Sequence, residues 1–218
     1  MGTGLRRSAH EVIAASRVLP LVVLDDARSA RRVGETLSAG GINVAEVAFR
    51  TPGSIAALRE IAADTDLCVG AGTVVTVDQV DLAVAAGAAF VVTPGLSAAV
   101  VGRCRELSVP VFPGAATATE VTAAIDLGIE VLKFFPAEAL GGTRMISALA
   151  GPFPQMRFIP TGGVTAANAA SYLAHPSVLA VGGSWMIPAD LVRDGQWGRL
   201  TELAHDAAAA VRTVGSPA

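Results

Sequence analysis

Long apolar runs are absent from this sequence, and so are the signals that direct a chain into or across a membrane. No uninterrupted apolar stretch reaches the roughly 18 residues needed to span a bilayer. Asp81 and Gly87 break one of the longest candidates, at 80–92, and the arginines near the N-terminus precede no apolar signal-peptide core. We therefore expect a cytoplasmic protein with no membrane partner.

Clustered charge and metal-ligand spacing are missing as well. The net charge is −3 and no basic block is present, which argues against a nucleic-acid partner. Cys68 and Cys104 lack CxxC spacing and are expected to be reduced, buried thiols. His10, His175 and His205 fall in helical or loop contexts without ligand spacing, so we expect no metal and no cofactor.

The chain is rich in apolar residues that can form a hydrophobic core. Hydrophobic residues make up 52% of the 218 residues and charged residues 16%, a balance that excludes a disordered chain. Eight short apolar runs are nearly continuous rather than alternating, which is typical of parallel strands covered on both faces. The predicted strands are 18–24, 44–49, 67–71, 89–93, 109–112, 131–134, 158–161 and 179–181.

Helical stretches separate these runs, and glycines follow helices at Gly40 and Gly41, Gly87 and Gly128, where a left-handed C-cap favours glycine. The predicted helices are 27–39, 55–64, 77–86, 98–107, 119–127 and 166–173, with an additional one at 11–17 before the first strand. Eight such β-α units predict an α/β protein, a single-domain (β/α)8 TIM barrel over residues 1–218 with an N-terminal helix. A doubly wound open sheet is the alternative.

Lys133 is the only lysine of the chain, and it lies in a predicted strand that ends in two aromatic residues and a proline. Codon bias towards arginine explains the scarcity of lysine, but it also implies that this lysine remains where arginine would not serve. Arginine cannot lose its proton, whereas a desolvated lysine can act as a nucleophile. The sequence therefore predicts Lys133 as a nucleophile; a buried ion pair that serves only stability is the alternative.

The second predicted strand carries Glu46 and Arg50, with the small Ala48 between them. Alternate residues of a strand share a face, so a carboxylate and a guanidinium are expected to enter the barrel mouth together. Glu46 can transfer protons, and Arg50 can bind a carboxylate through two hydrogen bonds. The alternative is an ion pair between Glu46 and Arg50 that has no function.

Two glycine pairs follow the last two predicted strands, at 162–163 and 182–183. Glycine lets backbone N–H groups approach an anion closely, and barrels commonly place a phosphate after strands seven and eight. One glycine pair is a weak signal, since it can be an ordinary turn. Two pairs, with the hydroxyl of Ser184 beside the second, predict a phosphate site.

Six motifs in this order resemble a known family, the class I aldolases of 2-keto-3-deoxy-6-phosphogluconate (KDPG) and 4-hydroxy-2-oxoglutarate (KHG). They are VAEVAFRTP at 44–52, GAGTV at 70–74, VTPG at 92–95, LKFFPAE at 132–138, PTGGV at 160–164 and GGSWM at 182–186. The resemblance covers about residues 8 to 210. It implies a metal-independent TIM-barrel aldolase of the Entner–Doudoroff route, usually a homotrimer, that cleaves KDPG into pyruvate and D-glyceraldehyde 3-phosphate.

The resemblance also implies roles for the matching positions. Lys133 would form a Schiff base with the 2-keto carbon, and Glu46 would be the general acid and base. The implied substrate-binding residues are Arg50 and Thr73 for the carboxylate, Pro94 and Phe135 for the pocket, Thr161 for the hydroxyls, and Gly162, Gly163, Gly183 and Ser184 for the 6-phosphate.

Other functions remain open on the sequence alone. A phosphosugar isomerase or epimerase would use Glu46 as a base but would leave the single lysine with only an electrostatic role. A non-catalytic phosphometabolite-binding barrel would keep the glycine loops without a reason to keep Lys133. Within the aldolases, the galactonate epimer or KHG is the alternative substrate.

Overall fold

A computed structural model describes residues 8–212 of the chain. These residues form nine short parallel strands and ten α-helices, mostly in alternation, and a 3₁₀-helix at Glu138–Leu140. The strands are β1 Val18–Val22, β2 Val44–Ala48, β3 Cys68–Gly72, β4 Val91–Val92, β5 Val111–Phe112, β6 Gly114–Ala115, β7 Val131–Phe134, β8 Arg157–Pro160 and β9 Val181–Gly183. The helices are α1 Ala9–Ser16, α2 Ala30–Ala39, α3 Ser54–Asp64, α4 Val77–Ala85, α5 Ala98–Glu106, α6 Ala118–Asp126, α7 Gly142–Ala150, α8 Ala169–Leu173, α9 Ala189–Arg193 and α10 Trp197–Arg212.

The strands form two parallel sheet segments. One has the order β5-β4-β3-β2-β1-β9, so that the last strand of the chain lies beside the first, and the other has the order β6-β7-β8. Every ladder is parallel, from β1 with β2 to β7 with β8. Because all strands run the same way, their carboxyl ends meet at one edge, as the alternating pattern of the sequence predicts.

Short links connect the two segments. Only Pro113 separates β5 from β6, and its carbonyl accepts a hydrogen bond from the backbone N–H of Lys133 at 2.9 Å. A proline lacks the N–H that a central strand position uses, which explains why β5 and β6 are separate strands. The predicted strand 109–112 begins only at Val111. On the other side, a parallel bridge joins Thr161 to Gly182.

Side-chain caps begin several helices where the sequence has serine or threonine. The Ser8 hydroxyl accepts from the N–H of Glu11, whose carboxylate accepts from the N–H of Ser8, and this capping box begins α1. The helix predicted at 11–17 therefore begins at Ala9, and it ends at Ser16 because Arg17 is left-handed, with φ of 58°. Thr117 and Glu120 form a second capping box at α6.

Other boundaries also differ from the predicted ones. The predicted helix 27–39 begins only at Ala30, since Asp26 accepts hydrogen bonds from the backbone and side chain of Arg28 in a local turn. The predicted helix 166–173 begins at Ala169, after a turn in which Asn168 caps the N–H of Thr165. Helices α7, α9 and α10 lie outside the predicted segments.

Aliphatic side chains from strands and helices form the core, with two edge-to-face aromatic pairs. Phe90 lies 5.8 Å from Phe112 and Phe134 lies 6.5 Å from Phe158, measured between ring centroids. Both cysteines are free thiols, and burial raises the pKa of Cys104 to about 11. A search of residues 8–212 finds no helix with the length and apolar character to cross a membrane.

Candidate active site

Lys133 and Glu46 meet inside the sheet, although 87 residues separate them in sequence. The Nζ atom of Lys133, near the carboxyl end of β7, donates to Oε1 of Glu46, in the middle of β2, at 3.1 Å. The two residues are only 3% and 2% exposed. A buried charge pair of this kind contributes little net stability compared with apolar residues of the same size, because both groups lose their hydration.

Two neighbours shape the surroundings of this pair. A Cβ atom added at Gly72 would lie 2.1 Å from Oε1 of Glu46, so only glycine leaves room for the carboxylate at this point of β3. The aromatic ring of Phe135, directly after β7, lies 5.6 Å from Nζ of Lys133. The amine therefore lies between a carboxylate and an aromatic face.

Arg50 and Thr73 form a second polar pair just beyond the strand ends. Nε of Arg50, in the turn after β2, donates to the hydroxyl of Thr73 at 3.3 Å. Within residues 8–212, Arg50 forms no ion pair, so the alternative of an ion pair between Glu46 and Arg50 is not observed. Thr73 has φ of 59°, an unusual conformation for a β-branched residue, and such strain is frequent at functional sites.

Thr93 holds the loop that carries Pro94. Its buried hydroxyl donates to the carbonyl of Gly95 at 2.6 Å and accepts from the N–H of Gly114 at 3.3 Å. A Cβ atom at Gly114 would lie 2.2 Å from the Pro94 carbonyl oxygen, so a glycine is required where β6 passes this loop. Thr93 lies in the VTPG motif, but the sequence predicts no role for it.

The loop after β8 contains Thr161, Gly162 and Gly163, and both glycines have positive φ, of 95° and 80°. The Gly162 carbonyl accepts from the N–H of Glu138 at 3.1 Å, and the Gly163 carbonyl accepts from Nδ2 of Asn168 at 3.1 Å. The parallel bridge between Thr161 and Gly182 engages the N–H of Gly162, whereas the N–H of Gly163 has no protein acceptor in the described part of the chain. The Gly163 N–H is therefore available to a ligand.

The loop after β9 lies beside the loop after β8. Gly182 forms a bridge with Thr161, and a Cβ atom at Gly183 would lie 3.4 Å from the carbonyl oxygen of Val164. Ser184 follows directly and is exposed. The tertiary structure thus brings together the two glycine pairs that the sequence singles out.

The predicted residues form three groups in the structure. The first group is the central pair of Glu46 and Lys133, with Phe135 beside it. The second is the pair of Arg50 and Thr73, and Gly72 connects it to the first because it contacts Glu46 and directly precedes Thr73. The third group consists of the two glycine loops. Gly162 links the central pair to the glycine loops, since a Cβ atom there would lie 3.2 Å from the Phe135 ring. No measured contact ties Pro94 or Ser184 directly to Lys133.

The histidines lie apart from these groups. Nε2 of His175 is 3.1 Å from the hydroxyl of Ser147, and burial lowers the pKa of His175. Over the described residues, no three His, Cys, Asp or Glu side chains are grouped in a way that would hold a metal ion.

Sequence comparison matches this chain with one family model, described as KDPG and KHG aldolase, over residues 9–203. The chain belongs to the KDPG and KHG aldolase family. A curated relative, the 2-dehydro-3-deoxy-phosphogluconate aldolase of Treponema pallidum, is 48% identical over 198 residues, which cover 89% of this chain and 93% of the relative.

Solved structures of family members superpose closely. The KDPG aldolase of Legionella pneumophila, captured with pyruvate at low pH as a covalent carbinolamine intermediate, has a TM-score of 0.88 and 40% identity. The alignment covers 91% of this chain and 97% of that one. The Zymomonas mobilis enzyme with 3-phosphoglycerate has a TM-score of 0.86 and 40% identity, with coverage of 91% and 94%.

Sequence reasoning missed several residues that support the site. Gly72 and Glu138 lie in two of the six motifs but receive no role there, and the closeness of Gly72 to Glu46 emerges from the register of β2 with β3. Tyr172 carries no local signal because its partner Glu138 lies on another element. The side chain of Asn168 bonds within its own loop, to Thr165 and Gly163.

Proposed function

We propose that this protein is a class I aldolase that reversibly cleaves KDPG into pyruvate and D-glyceraldehyde 3-phosphate. The observation that carries the proposal is the buried contact of 3.1 Å between Nζ of Lys133 and Oε1 of Glu46. It joins a nucleophile to a proton-transfer group, the combination that Schiff-base formation requires. The KDPG aldolases among its relatives support the choice of substrate.

Lys133 supplies the nucleophile in this proposal. Its neutral amine attacks the 2-keto carbon of KDPG to give a carbinolamine, which loses water to become an iminium ion. The iminium withdraws electrons, so the bond between C3 and C4 breaks and its electron pair enters an enamine of pyruvate. This electron sink replaces the Lewis acid of a metal-dependent aldolase, and we predict that no metal is needed.

Glu46 moves the protons. It protonates the leaving hydroxyl when the carbinolamine loses water, and it accepts the proton of the C4 hydroxyl, directly or through one water, as the aldehyde leaves. It then returns a proton to C3 of the enamine, and hydrolysis of the resulting iminium releases pyruvate and restores Lys133. The contact between the two side chains supports this shared role.

Arg50 and Thr73 hold the carboxylate end of the substrate in this proposal. The exposed guanidinium of Arg50 uses Nε for Thr73, which leaves its terminal N–H groups for a carboxylate. Pro94 and Phe135 shape the walls of the pocket. The hydrogen bond to Thr73 supports a guanidinium that is oriented before the substrate arrives.

The two glycine loops hold the phosphate end of the substrate in this proposal. Gly162, Gly163 and Gly183 hold the 6-phosphate through the backbone of their loops, Ser184 adds a hydroxyl, and Thr161 lies near the substrate hydroxyls. The positive φ angles of Gly162 and Gly163, and the N–H of Gly163, which has no acceptor among the described residues, support this assignment.

We propose further that the two sheet segments form one closed (β/α)8 barrel in a single domain. The one-residue gap at Pro113 and the bridge between Thr161 and Gly182 support closure, because an open sheet would leave β8 and β9 without contact. A homotrimer and a cytoplasmic location remain predictions.

Trapping with pyruvate tests the function directly. The protein is mixed with pyruvate and sodium borohydride, and its intact mass and peptide map are measured. Because Lys133 is the only lysine, the α-amino group is the only competing amine. We expect one reductive adduct, mapped to Lys133. A folded protein without an adduct would overturn the aldolase and favour an isomerase that uses Glu46 as its base.

Replacing Gly72 by alanine tests the role of the Glu46 position with both catalytic side chains intact. The new Cβ would lie 2.1 Å from Oε1, so the carboxylate must move away from Lys133. We expect kcat for KDPG cleavage to fall on the order of 100-fold, the lower end of the range for a lost acid–base group.

The matched control is Gly102→Ala, at a position in α5 where a Cβ meets no atom within 4 Å. This variant should keep wild-type kcat, measured in a coupled assay for pyruvate. Equal activities of the two variants would show that the position of Glu46 does not matter.

A further inference from the structure

Glu138 connects three parts of the structure next to the loop after β8. Its backbone N–H donates to the Gly162 carbonyl at 3.1 Å, and its Cβ and Cγ cover Gly163, where an added Cβ would lie 2.6 Å from both. Its carboxylate oxygen Oε1 accepts a hydrogen bond from the hydroxyl of Tyr172 in α8. One residue thus ties the loop to a helix.

Asn168 holds the same loop from its other end. Its Oδ1 accepts from the N–H of Thr165 at 2.7 Å, and its Nδ2 donates to the Gly163 carbonyl at 3.1 Å. Both glycine carbonyls are therefore engaged by the protein. In the region between residues 8 and 212, the N–H groups of Gly163 and Val164, which share peptide units with these two carbonyls, find no acceptor. The protein therefore occupies the carbonyl groups of the loop and leaves these backbone N–H groups free, an arrangement that favours binding of an anion.

Tyr172 is suited to anchoring the Glu138 carboxylate. It is 1% exposed, and burial, with a further contribution from the hydrogen bond to Glu138, raises the pKa of its hydroxyl. The hydroxyl therefore stays protonated as a donor at neutral pH. Gly142 leaves space for this contact, since a Cβ there would lie 3.0 Å from the Tyr172 oxygen.

We propose that Glu138, Tyr172 and Asn168 are positioning residues that set the affinity of this enzyme for the phosphate end of its substrate. The inference rests on the proposed function and adds to it the side chains that hold the phosphate loop in shape. None of the three needs to touch the phosphate. Their effect passes through the carbonyls of Gly162 and Gly163, whose engagement keeps the adjoining N–H groups available.

Two variants test this arrangement on two substrates. Tyr172→Phe removes one hydroxyl, and Asn168→Ala removes the amide; kcat and KM are measured with KDPG and with its unphosphorylated counterpart, 2-keto-3-deoxygluconate. We expect KM for KDPG to rise about tenfold in each variant, the loss typical of one good hydrogen bond, and kcat to change less than about twofold. The values for the unphosphorylated substrate should stay within about twofold of wild type.

A conservative variant and a matched control sharpen the result. Glu138→Gln keeps an oxygen that accepts from Tyr172 and should retain most of the affinity for KDPG, whereas Glu138→Ala should behave like Tyr172→Phe. Ser147→Ala removes a hydroxyl that contacts His175 next to α8, without touching the loop, and should leave both substrates unaffected. Melting temperatures check that each variant is folded.

Four outcomes would overturn the inference. Equal losses on both substrates in a folded variant would indicate a purely structural role, and unchanged KM values in all variants would show that the loop does not depend on these residues. If wild-type protein forms the pyruvate adduct but has the same KM for both substrates, the phosphate role of the loop is wrong while the aldolase stands. Absence of the adduct in the wild type would overturn the aldolase and, with it, this inference.

Discussion

Replacing Lys133 by methionine is expected to lower kcat/KM for KDPG by at least about 10⁴-fold, because the covalent route needs a nucleophilic amine at this position. Methionine has nearly the same length and fills the same space without the nitrogen. The borohydride adduct with pyruvate should disappear as well. Both are measured on the purified variant, by a coupled pyruvate assay and by intact mass.

Measuring the free energy of unfolding of Lys133 variants separates the chemical role of this residue from a structural one. In Lys133→Met the Glu46 carboxylate loses its partner inside the protein, so the free energy of unfolding should fall by about 3–5 kcal/mol. The double variant Lys133→Met/Glu46→Leu replaces the whole buried pair by apolar groups and should recover most of that loss. Urea unfolding of the single and double variants measures both effects.

The double variant makes the interpretation unambiguous. We expect it to be as stable as the wild-type protein and still inactive, which would assign the activity to the amine and not to the fold. Substantial KDPG cleavage by either variant would contradict the Schiff-base mechanism. A single variant as stable as wild type would show instead that the ion pair has little energetic coupling in the folded protein.

Replacing Glu46 by glutamine should lower kcat by about 10²–10⁴-fold, the range for loss of a general acid–base group. Glutamine has the size of glutamate and can still accept a hydrogen bond from Lys133, so the fold and the position of the amine are preserved. It cannot carry the proton that dehydration and cleavage require. The decrease should appear in kcat, with little change in the KM for KDPG.

Hydrogen–deuterium exchange of pyruvate isolates the proton-transfer step. Enamine formation from the pyruvate iminium removes a methyl proton and exchanges it with solvent, and no aldehyde is involved. NMR in deuterated buffer should therefore show slow exchange with Glu46→Gln, while borohydride still traps the iminium after long incubation. Glu60→Gln, at an exposed position in α3, is the matched control and should exchange pyruvate at the wild-type rate.

Rapid pyruvate exchange by Glu46→Gln would remove this carboxylate from the mechanism. Complete absence of trapping would show, on the other hand, that Glu46 is needed already for the attack on the carbonyl. The first result would move the proton-transfer role to another group of the site, whereas the second would extend the role of Glu46 to an earlier step.

The alternation of apolar runs with helical stretches was enough to predict a parallel α/β protein, because a buried parallel strand must be apolar on both faces. Every predicted strand overlaps an observed one. The details depended on local hydrogen bonds that periodicity does not report. Pro113, just after the fifth predicted strand, separates β5 from β6, and the capping box at Ser8 begins α1 two residues before the predicted start. Boundaries of this kind are set by single donors and acceptors.

The candidate site was predictable to the extent that its residues have distinctive chemistry. A single lysine in an arginine-rich chain stands out by itself. Glycine pairs after the last strands indicate loops whose backbone N–H groups can approach an anion closely. The two alternatives for Glu46 could not be separated in this way. In sequence its nearest cation is Arg50, four positions away, whereas its partner in the fold is Lys133, 87 positions away.

By itself, the sequence determined which groups are available: one amine, a carboxylate and a guanidinium near strand ends, and two glycine loops. Only the tertiary structure decided how they pair, because parallel strands bring together positions that are remote along the chain. The register of β2 with β3 places Gly72 against Glu46, and the approach of α8 to the 3₁₀-helix places Tyr172 against Glu138. These contacts depend on packing distances of a few ångströms between separate elements, which no local pattern encodes.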